Sequence, residues 1–219
     1  MKYQTVLFDM DGTLIDASPD INHYLNLTLK KFGYAEITLA ETRRFVGNGA
    51  AKLVERALKG KPCAEAEFCA MVKDYNDGYN FCDGSRTKVF GGMAELVARL
   101  NAEGFKTAVV SNKAQDGAEE VVKKFFPAVG FDYVCGLRDG AKPKPDRSCV
   151  DLTLSALGVS VGDAALIGDS DTDYLTMKNA GIDGVCVLWG YRTREELSAL
   201  GATTFAKNPE ELYEKIKSL

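Results

Sequence analysis

The chain has 219 residues, 46% of them hydrophobic, and its formal net charge at pH 7 is −4. This hydrophobic content is ample for a folded core, which excludes a disordered chain and allows one large domain or two unequal ones. The acidic balance, with neither a basic block nor a basic stripe, argues against nucleic acid and anionic membranes as partners. A small molecule is the expected partner.

Targeting signals and cysteine spacing indicate where the protein is expected to reside and which metal or redox chemistry it is expected to lack. The N-terminal segment lacks the basic and long apolar regions of a secretory signal, and no stretch approaches roughly eighteen uninterrupted apolar residues. We therefore expect a cytoplasmic protein. The six cysteines have no CxxC spacing, which predicts reduced, mostly structural thiols. The single histidine, His23, makes a histidine-based metal site or a Ser/His/Asp triad implausible.

The first predicted strand is the apolar run 6–8, which ends at the charged turn Asp9-Met10-Asp11-Gly12-Thr13. Ligands of open α/β sheets bind outside such carboxyl ends. Alternation along the strand end directs Asp9 and Asp11 to the same side, and Gly12 permits the sharp turn that follows. Two adjacent carboxylates attract a hard cation. Taken alone, however, an Asp–Gly turn more often simply closes a strand.

The remaining pattern predicts an α/β fold with a doubly wound parallel sheet, because strands and helices alternate from residue 105 onward. The predicted strands cover 106–110, 131–134, 164–168, 184–188 and 203–205. Before residue 90, apolar residues such as Ile21, Leu25 and Leu29 recur at helical spacing. We therefore predict a core of residues 1–15 and 86–219, with a smaller α-helical domain of residues 16–85 inserted after the first strand.

Three further polar segments follow predicted strands of the core. Ser111-Asn112-Lys113 offers a hydroxyl and backbone N–H groups that suit a phosphate, and Lys142 lies on the proline-stiffened loop 142–146. Asp169 and Asp173 are one helical turn apart. Each segment has an ordinary alternative, as a helix cap, a solvated turn or a favourable charge at a helix N-terminus. Together with Asp9, however, their ordered occurrence indicates a catalytic site.

In this order the segments DMDGT, SNK, KPKPD and GDSDTD resemble the four motifs of the haloacid dehalogenase superfamily, and the resemblance spans nearly the whole chain. It implies a Rossmann-like core, and the helical insertion looks like the small cap of the family's first cap class. Within that class, residues 45–50 (FVGNGA) and 53–58 (LVERAL) are similar to phosphoglycolate phosphatases. A core-and-cap chain of this size is expected to be a monomer or a weak homodimer.

The resemblance also implies catalytic roles. Asp9 would be the nucleophile that forms an aspartyl-phosphate, and Asp11 would protonate the leaving alcohol and then activate water. Ser111 and Lys142, taken as the lysine of the third motif, would bind the transferring phosphoryl oxygens. Gly12, Thr13 and Asn112 are the predicted substrate-binding residues of the core.

A magnesium ion is the implied cofactor. Its ligands would be the Asp9 carboxylate, the backbone carbonyl of Asp11 and the Asp169 carboxylate, because Mg²⁺ prefers oxygen ligands and keeps several waters. Asp173 would support this shell through water. The ion would offset the repulsion between the anionic nucleophile and the anionic phosphate.

The inserted domain is expected to select the substrate. Backbone N–H groups of Gly47, Asn48 and Gly49 would bind a carboxylate, and the flanking Arg44 and Lys52 would add positive charge, although both also suit a solvated helix surface. The predicted function is therefore magnesium-dependent hydrolysis of a small phosphorylated metabolite, with phosphoglycolate phosphatase as the leading activity.

Several alternatives remain open. Another small-metabolite phosphatase, a pyrophosphatase and a catalytically silent binding module share the same motifs. The β-phosphoglucomutase relatives use a cap histidine where this chain has Ile21, and His23 is displaced by about 200° around the helix, which disfavours a mutase. Carbon–halogen hydrolysis and phosphonate hydrolysis are disfavoured because Asp11 supplies a leaving-group acid.

Overall fold

A computed structural model describes residues 3–80 and 82–218. The strands are β1 (Thr5–Phe8), β2 (Ile15–Asp16), β3 (Lys88–Val89), β4 (Lys106–Ala114), β5 (Tyr133–Leu137), β6 (Ala164–Gly168), β7 (Asp183–Val187) and β8 (Phe205–Ala206). The helices are α1 (Ser18–Lys31), α2 (Leu39–Phe45), α3 (Gly49–Ala57), α4 (Glu65–Asn80), α5 (Met93–Ala102), α6 (Gln115–Phe125), α7 (Ser148–Leu157), α8 (Asp171–Ala180), α9 (Arg194–Ala199) and α10 (Pro209–Ser218).

Within residues 3–80 and 82–218, the main sheet has six strands in the order β5-β4-β1-β6-β7-β8, and all neighbouring pairs are parallel. Strand β1 is central and every one of its residues is buried, which explains its unbroken apolar run. In register, Phe8 lies between Val109 of β4 and Ile167 of β6. The predicted doubly wound parallel sheet is confirmed, and the strand order reverses beside β1, where such sheets bind ligands.

The chain divides into two compact units. Unit 1 comprises Met1–Ile15 and Val89–Leu219, and unit 2 comprises Asp16–Lys88. The second boundary therefore falls after residue 88 rather than after the predicted residue 85. The short strands β2 and β3 pair in a separate two-stranded sheet where the chain leaves and re-enters unit 1. Strand β3 thus lies beyond the boundary predicted at residue 85.

Unit 2 contains helices α1 to α4, in agreement with the helical spacing of its apolar residues. The residues of that stripe, Ile21, Leu25 and Leu29, are buried on α1. A hydrogen bond of 2.9 Å from Thr28 Oγ1 to Asp74 Oδ2 joins α1 to α4. A capping box between Thr38 and Glu41 begins α2. Apolar packing and a few side-chain bonds thus hold this small unit together.

Strand β4 is longer than predicted and includes the SNK segment. Its pairing with β5 is irregular between Val110 and Ala114, where β4 carries extra residues relative to β5. The side chain of Gln115 anchors this end, because its Oε1 accepts a 2.7 Å hydrogen bond from the Gly136 N–H. A Cβ at Gly136 would lie 2.6 Å from the Cα of Gln115, so glycine is required for this approach. The irregularity is a tertiary feature that a short apolar run does not predict.

Candidate active site

Asp9 lies at the carboxyl edge of the sheet, directly after β1. Its backbone N–H donates a 2.8 Å hydrogen bond to the carbonyl of Ile167, which continues the ladder towards β6 and fixes the turn. The Asp9 side chain is buried, with one carboxylate oxygen 2.6 Å from the ammonium group of Lys144. The predicted nucleophile therefore faces a buried cation at the switch point of the sheet.

The cation that reaches Asp9 is Lys144, so the prediction of Lys142 is wrong. Lys144 is 2% exposed, and its Nζ donates to Asp9 Oδ1 at 2.6 Å, to Asp173 Oδ1 at 2.7 Å and to the Val110 carbonyl at 3.0 Å. Lys142 is exposed. The two lysines flank one proline, and their local sequence does not distinguish them.

Asn112 explains why Lys144 is selected. Its side-chain amide donates to the Lys144 carbonyl at 2.9 Å and accepts from the Lys144 N–H at 2.7 Å. This reciprocal pair holds the loop backbone at the end of β4 and directs Lys144 inward. Asn112 was predicted to bind substrate; in the structure its amide positions the loop that carries Lys144.

Burial and charge strongly perturb these groups. Burial, reinforced by the negative charge of Asp173, raises the pKa of Asp9 well above its usual range, and Lys144 opposes this effect. Burial alone would lower the pKa of Lys144, but the charges of Asp173 and Asp9 raise it above its ordinary value. Burial and the Asp173 charge raise the pKa of Asp169 to about 7. The cluster thus holds more acidic groups than its one buried lysine can neutralise.

Asp169 is oriented by a loop that sequence reasoning missed. Its Oδ2 accepts a 2.7 Å hydrogen bond from the Tyr191 N–H, and its Oδ1 accepts from Thr13 Oγ1 at 3.2 Å. The indole of Trp189 donates to the Thr13 carbonyl at 3.0 Å. Thr13, predicted to bind substrate, therefore links Asp169 to this loop. The Trp-Gly-Tyr segment follows the end of a predicted strand, which was the available signal.

The acidic cluster fits a divalent metal ion. Asp9, Asp169 and Asp173 are buried, and one carboxylate oxygen from each lies within 4.8 Å of the others. A Cβ at either Gly12, where φ is +104°, or Gly190 would lie 2.4 Å from Asp169 Oδ2. These glycines let the backbone surround that carboxylate closely. The oxygen donors and the excess negative charge suit a hard cation.

Asp173 is occupied by protein groups. Its Oδ1 accepts from Lys144, and its Oδ2 accepts from the N–H and the hydroxyl of Ser170, at 3.1 and 2.6 Å, in the capping box that begins α8. Helix geometry thus fixes this carboxylate, which in turn fixes Lys144. In the structure Asp173 positions the lysine, and its support of a metal shell remains a prediction.

Asp11 has its own cation, Lys113, whose Nζ is 3.4 Å from Asp11 Oδ2 and whose side chain is 8% exposed. Within the described ranges 3–80 and 82–218, the buried Oδ1 of Asp11 has no hydrogen-bond partner. Ser111 is buried beside them, and its hydroxyl accepts from the Lys113 N–H at 3.1 Å. Lys113 is a further site residue that sequence reasoning missed, although it lies within the SNK motif.

The predicted specificity residues lie together in one segment of unit 2, around the turn between α2 and α3. Arg44 and Lys52 are exposed, and Lys52 pairs with Glu55 at 2.7 Å. Gly47 and Gly49 have positive φ angles, and the side-chain oxygen of Asn48 accepts from Arg56 Nη2 at 2.7 Å. The core residues are brought together in unit 1, whereas the part that this segment plays in substrate binding remains a prediction.

A buried nucleophile candidate, a lysine and an acidic cluster at the carboxyl edge of a doubly wound sheet define a hydrolase core of the haloacid dehalogenase type. The chain belongs to the haloacid dehalogenase-like hydrolase family, whose model matches residues 6–187. The resemblance stated from the motifs is thereby confirmed.

Individual relatives show which members of this hydrolase family the chain is similar to. The chain is 34% identical over 200 residues to a phosphoglycolate phosphatase of Caulobacter vibrioides, covering 90% of this chain and 84% of that one. It is 32% identical over 225 residues to a phosphoglycolate phosphatase of Psychrobacter arcticus, covering 100% and 95%. A crystal structure from Lactobacillus delbrueckii subsp. bulgaricus, provisionally assigned as a phosphoglycolate phosphatase, superimposes with a TM-score of 0.90 at 31% identity over 99% of both chains.

These findings confirm the prediction that the chain is a phosphatase. A phosphatase of this family acts on a small phosphorylated substrate, and such enzymes generally use a divalent metal ion, for which the acidic cluster provides ligands. Among the described residues, none of the helices combines the length and the apolar character needed to cross a membrane.

Proposed function

We propose that the protein is a magnesium-dependent phosphomonoester hydrolase that converts 2-phosphoglycolate to glycolate and phosphate through an aspartyl-phosphate. The contact of Lys144 with both Asp9 and Asp173 carries the chemical part of this proposal, because it fixes a carboxylate nucleophile beside a buried cation. The phosphoglycolate phosphatase relatives support the choice of substrate.

In the first half-reaction, an oxygen of the Asp9 carboxylate attacks phosphorus and the bond from phosphorus to the leaving oxygen breaks. Lys144 holds the Asp9 carboxylate in place, and Lys144 and Ser111 bind the phosphoryl oxygens as their charge redistributes. Asp11 donates a proton to the leaving oxygen. In the second half-reaction Asp11 removes a proton from water, which attacks phosphorus and releases Asp9 and inorganic phosphate.

Asp9, Asp169 and the backbone carbonyl of Asp11 would hold the magnesium ion. When bound, the ion neutralises negative charge at the phosphate and at the acidic cluster. Thr13 and the Tyr191 N–H keep Asp169 oriented towards this position. Oriented ligands reduce the reorganisation needed on metal binding.

Lys113 supports a leaving group that carries a carboxylate. Asp11 must approach the leaving oxygen, so a cation 3.4 Å from Asp11 lies on the leaving-group side of the phosphate. In 2-phosphoglycolate the carboxylate is separated from the ester oxygen by a single methylene group. A carboxylate so close to the reacting centre can pair with Lys113, whereas a neutral alcohol cannot.

Phosphate release tests the proposal. We expect turnover with magnesium to be fastest for 2-phosphoglycolate within a panel that also contains ethyl phosphate, sugar phosphates and pyrophosphate, and to stop when a chelator is added. Ethyl phosphate is the matched control because it carries an uncharged methyl group where 2-phosphoglycolate carries its carboxylate. If metal-dependent turnover were fastest for another ester, the proposed substrate would be rejected and the proposed mechanism would stand. Turnover that survives complete metal removal would contradict the proposed metal dependence.

We also propose that the segment containing Arg44, Gly47, Asn48, Gly49 and Lys52 contributes to substrate choice. Arg44→Gln should raise the KM for 2-phosphoglycolate relative to that for ethyl phosphate, because it removes a positive charge while leaving the core intact. Lys52→Gln tests the second cation, and Lys73→Gln, which alters an exposed lysine paired with Asp77 on α4, is the control. If the ratio of the KM for 2-phosphoglycolate to that for ethyl phosphate were equal in the three variants and the parent, this assignment would be wrong.

A further inference from the structure

A small cavity lies beside the end of β4 and is lined by two cysteines. Its volume is about 60 Å³, and its lining includes Cys135 of β5, Cys149 of α7, Arg138, Lys142 and Ser111. A site of this volume admits a few waters or a molecule of similar size, such as hydrogen peroxide. It is too small for a tripeptide disulfide. The catalytic mechanism uses neither cysteine.

The two cysteines are free thiols that line the same cavity. Cys135 is buried and Cys149 is half-buried, and Cys149 Sγ lies 3.6 Å from the Cys135 carbonyl oxygen, to which its thiol donates. They are separated by fourteen positions in the sequence, and strand and helix packing brings them together. Two thiols held this close are arranged for disulfide formation, since the step requires one sulfur to reach the other.

The surroundings favour a thiolate at Cys135. The neighbouring Cys149 side chain lowers the pKa of Cys135 to about 7, against the opposing effect of burial, and the positive charges of Arg138 and Lys144 add to this lowering. The Cys135 side chain and burial raise the pKa of Cys149. A thiol of lowered pKa that lies beside a second thiol has the character of the nucleophile in a reactive thiol pair.

We propose that Cys135 and Cys149 form a peroxide-reactive site that closes to a disulfide and lowers the activity of the neighbouring catalytic site. The Cys135 thiolate attacks one oxygen of hydrogen peroxide, the O–O bond breaks, and Cys135 sulfenic acid and water result once the leaving hydroxide is protonated. The Cys149 sulfur then displaces the hydroxyl group of the sulfenic acid, giving the disulfide and a second water. Both sulfurs are oxidised by one electron each, and peroxide is reduced.

The link to activity passes through Ser111, which lines the same small cavity as the two cysteines. A disulfide brings two sulfurs to about 2.05 Å, closer than two unbonded thiols approach, so Cys149 must move. This movement alters the packing around Ser111 at the strand end where it binds phosphoryl oxygens. The activity part of the inference rests on the proposed function, whereas the disulfide itself does not.

Peroxide treatment of the reduced protein tests the site. We expect a mass loss of about 2 Da, from two hydrogens, a peptide map that joins Cys135 to Cys149, and about a tenfold fall in phosphate release that dithiothreitol reverses. Cys135→Ser should keep basal activity, and neither Cys135→Ser nor Cys149→Ser should form such a disulfide. Cys186→Ser is the matched control, because Cys186 is buried beyond this cavity with a pKa raised to about 12, and it should behave as the parent.

The two proposals fail separately. Absence of the Cys135–Cys149 linkage, or a linkage through other cysteines, overturns the thiol site whatever the enzyme hydrolyses. A mapped disulfide with unchanged phosphate release overturns its effect on activity. A mapped disulfide in a protein that hydrolyses no ester of the panel would uphold the thiol site and reject the proposed function.

Discussion

Asp9→Asn should reduce phosphate release by roughly 10⁴- to 10⁶-fold, the range seen when a covalent nucleophile is removed. The amide has nearly the same volume as the carboxylate, and its oxygen can still accept the hydrogen bond from Lys144, but it cannot form the phosphoenzyme. The fold should be retained, because burial disfavours the ionised Asp9 and the substitution removes one charge from an acid-rich cluster. Steady-state and single-turnover phosphate release measure the effect.

Asp171→Asn is the matched control for Asp9→Asn. Asp171 belongs to the same acidic motif, but its carboxylate pairs with Arg192 at 2.9 Å and is not part of the buried cluster. Trp189, the single tryptophan of the chain, donates to Thr13 within the site, so its fluorescence should report phosphate and magnesium binding to the inactive variant. Equal activities of the two variants would remove Asp9 from its role as nucleophile.

Lys144→Met should abolish measurable turnover and destabilise the fold by about 3–5 kcal/mol, the usual cost of breaking a buried ion pair. The substitution leaves Asp9 and Asp173 without their common cation, and protonation of these acids would recover part of the loss. Lys142→Met should change stability by no more than about 0.5 kcal/mol, because Lys142 is exposed. Urea unfolding and phosphate release, measured on both variants, give the comparison.

Loss of folding would obscure the catalytic effect of Lys144→Met, so the double variant Lys144→Met/Asp173→Asn accompanies it. The Asp173→Asn substitution removes one of the two buried negative charges that lose their cation in Lys144→Met. We therefore expect the double variant to recover stability but not activity. An active Lys144→Met enzyme together with an inactive Lys142→Met enzyme would restore the assignment made from the sequence. Comparing the Lys144 and Lys142 variants therefore tests directly whether Lys144, rather than Lys142, is the lysine of the site.

Much of the fold was predictable because its signals are local. An apolar run such as Val6 to Phe8 specifies a buried strand, and an acidic Gly-containing turn ends it, so Asp9 and Asp169 were placed at strand ends without knowledge of any contact. The helical spacing of Ile21, Leu25 and Leu29 predicted the inserted helices for the same reason. The parallel sheet then brings separate strand ends to one edge.

Details that depend on pairing between distant segments were not predictable in this way. The extension of β4 through Ala114 depends on Gln115 and Gly136 at the neighbouring strand. The orientation of Asp169 depends on the Tyr191 N–H, a backbone group that the side chains of that loop do not reveal. Such contacts join residues far apart in the chain, whereas periodicity and turn chemistry describe only near neighbours.

The sequence by itself determined the class of the sheet, the helical insertion and the acids at the strand ends, because each follows from a run of adjacent residues. Only the tertiary structure decided between Lys142 and Lys144. Both are lysines on the same proline-containing loop, and the choice rests on the two reciprocal hydrogen bonds between the side-chain amide of Asn112, on β4, and the backbone of Lys144. That long-range contact turns one of two locally equivalent side chains into the buried cation of the site.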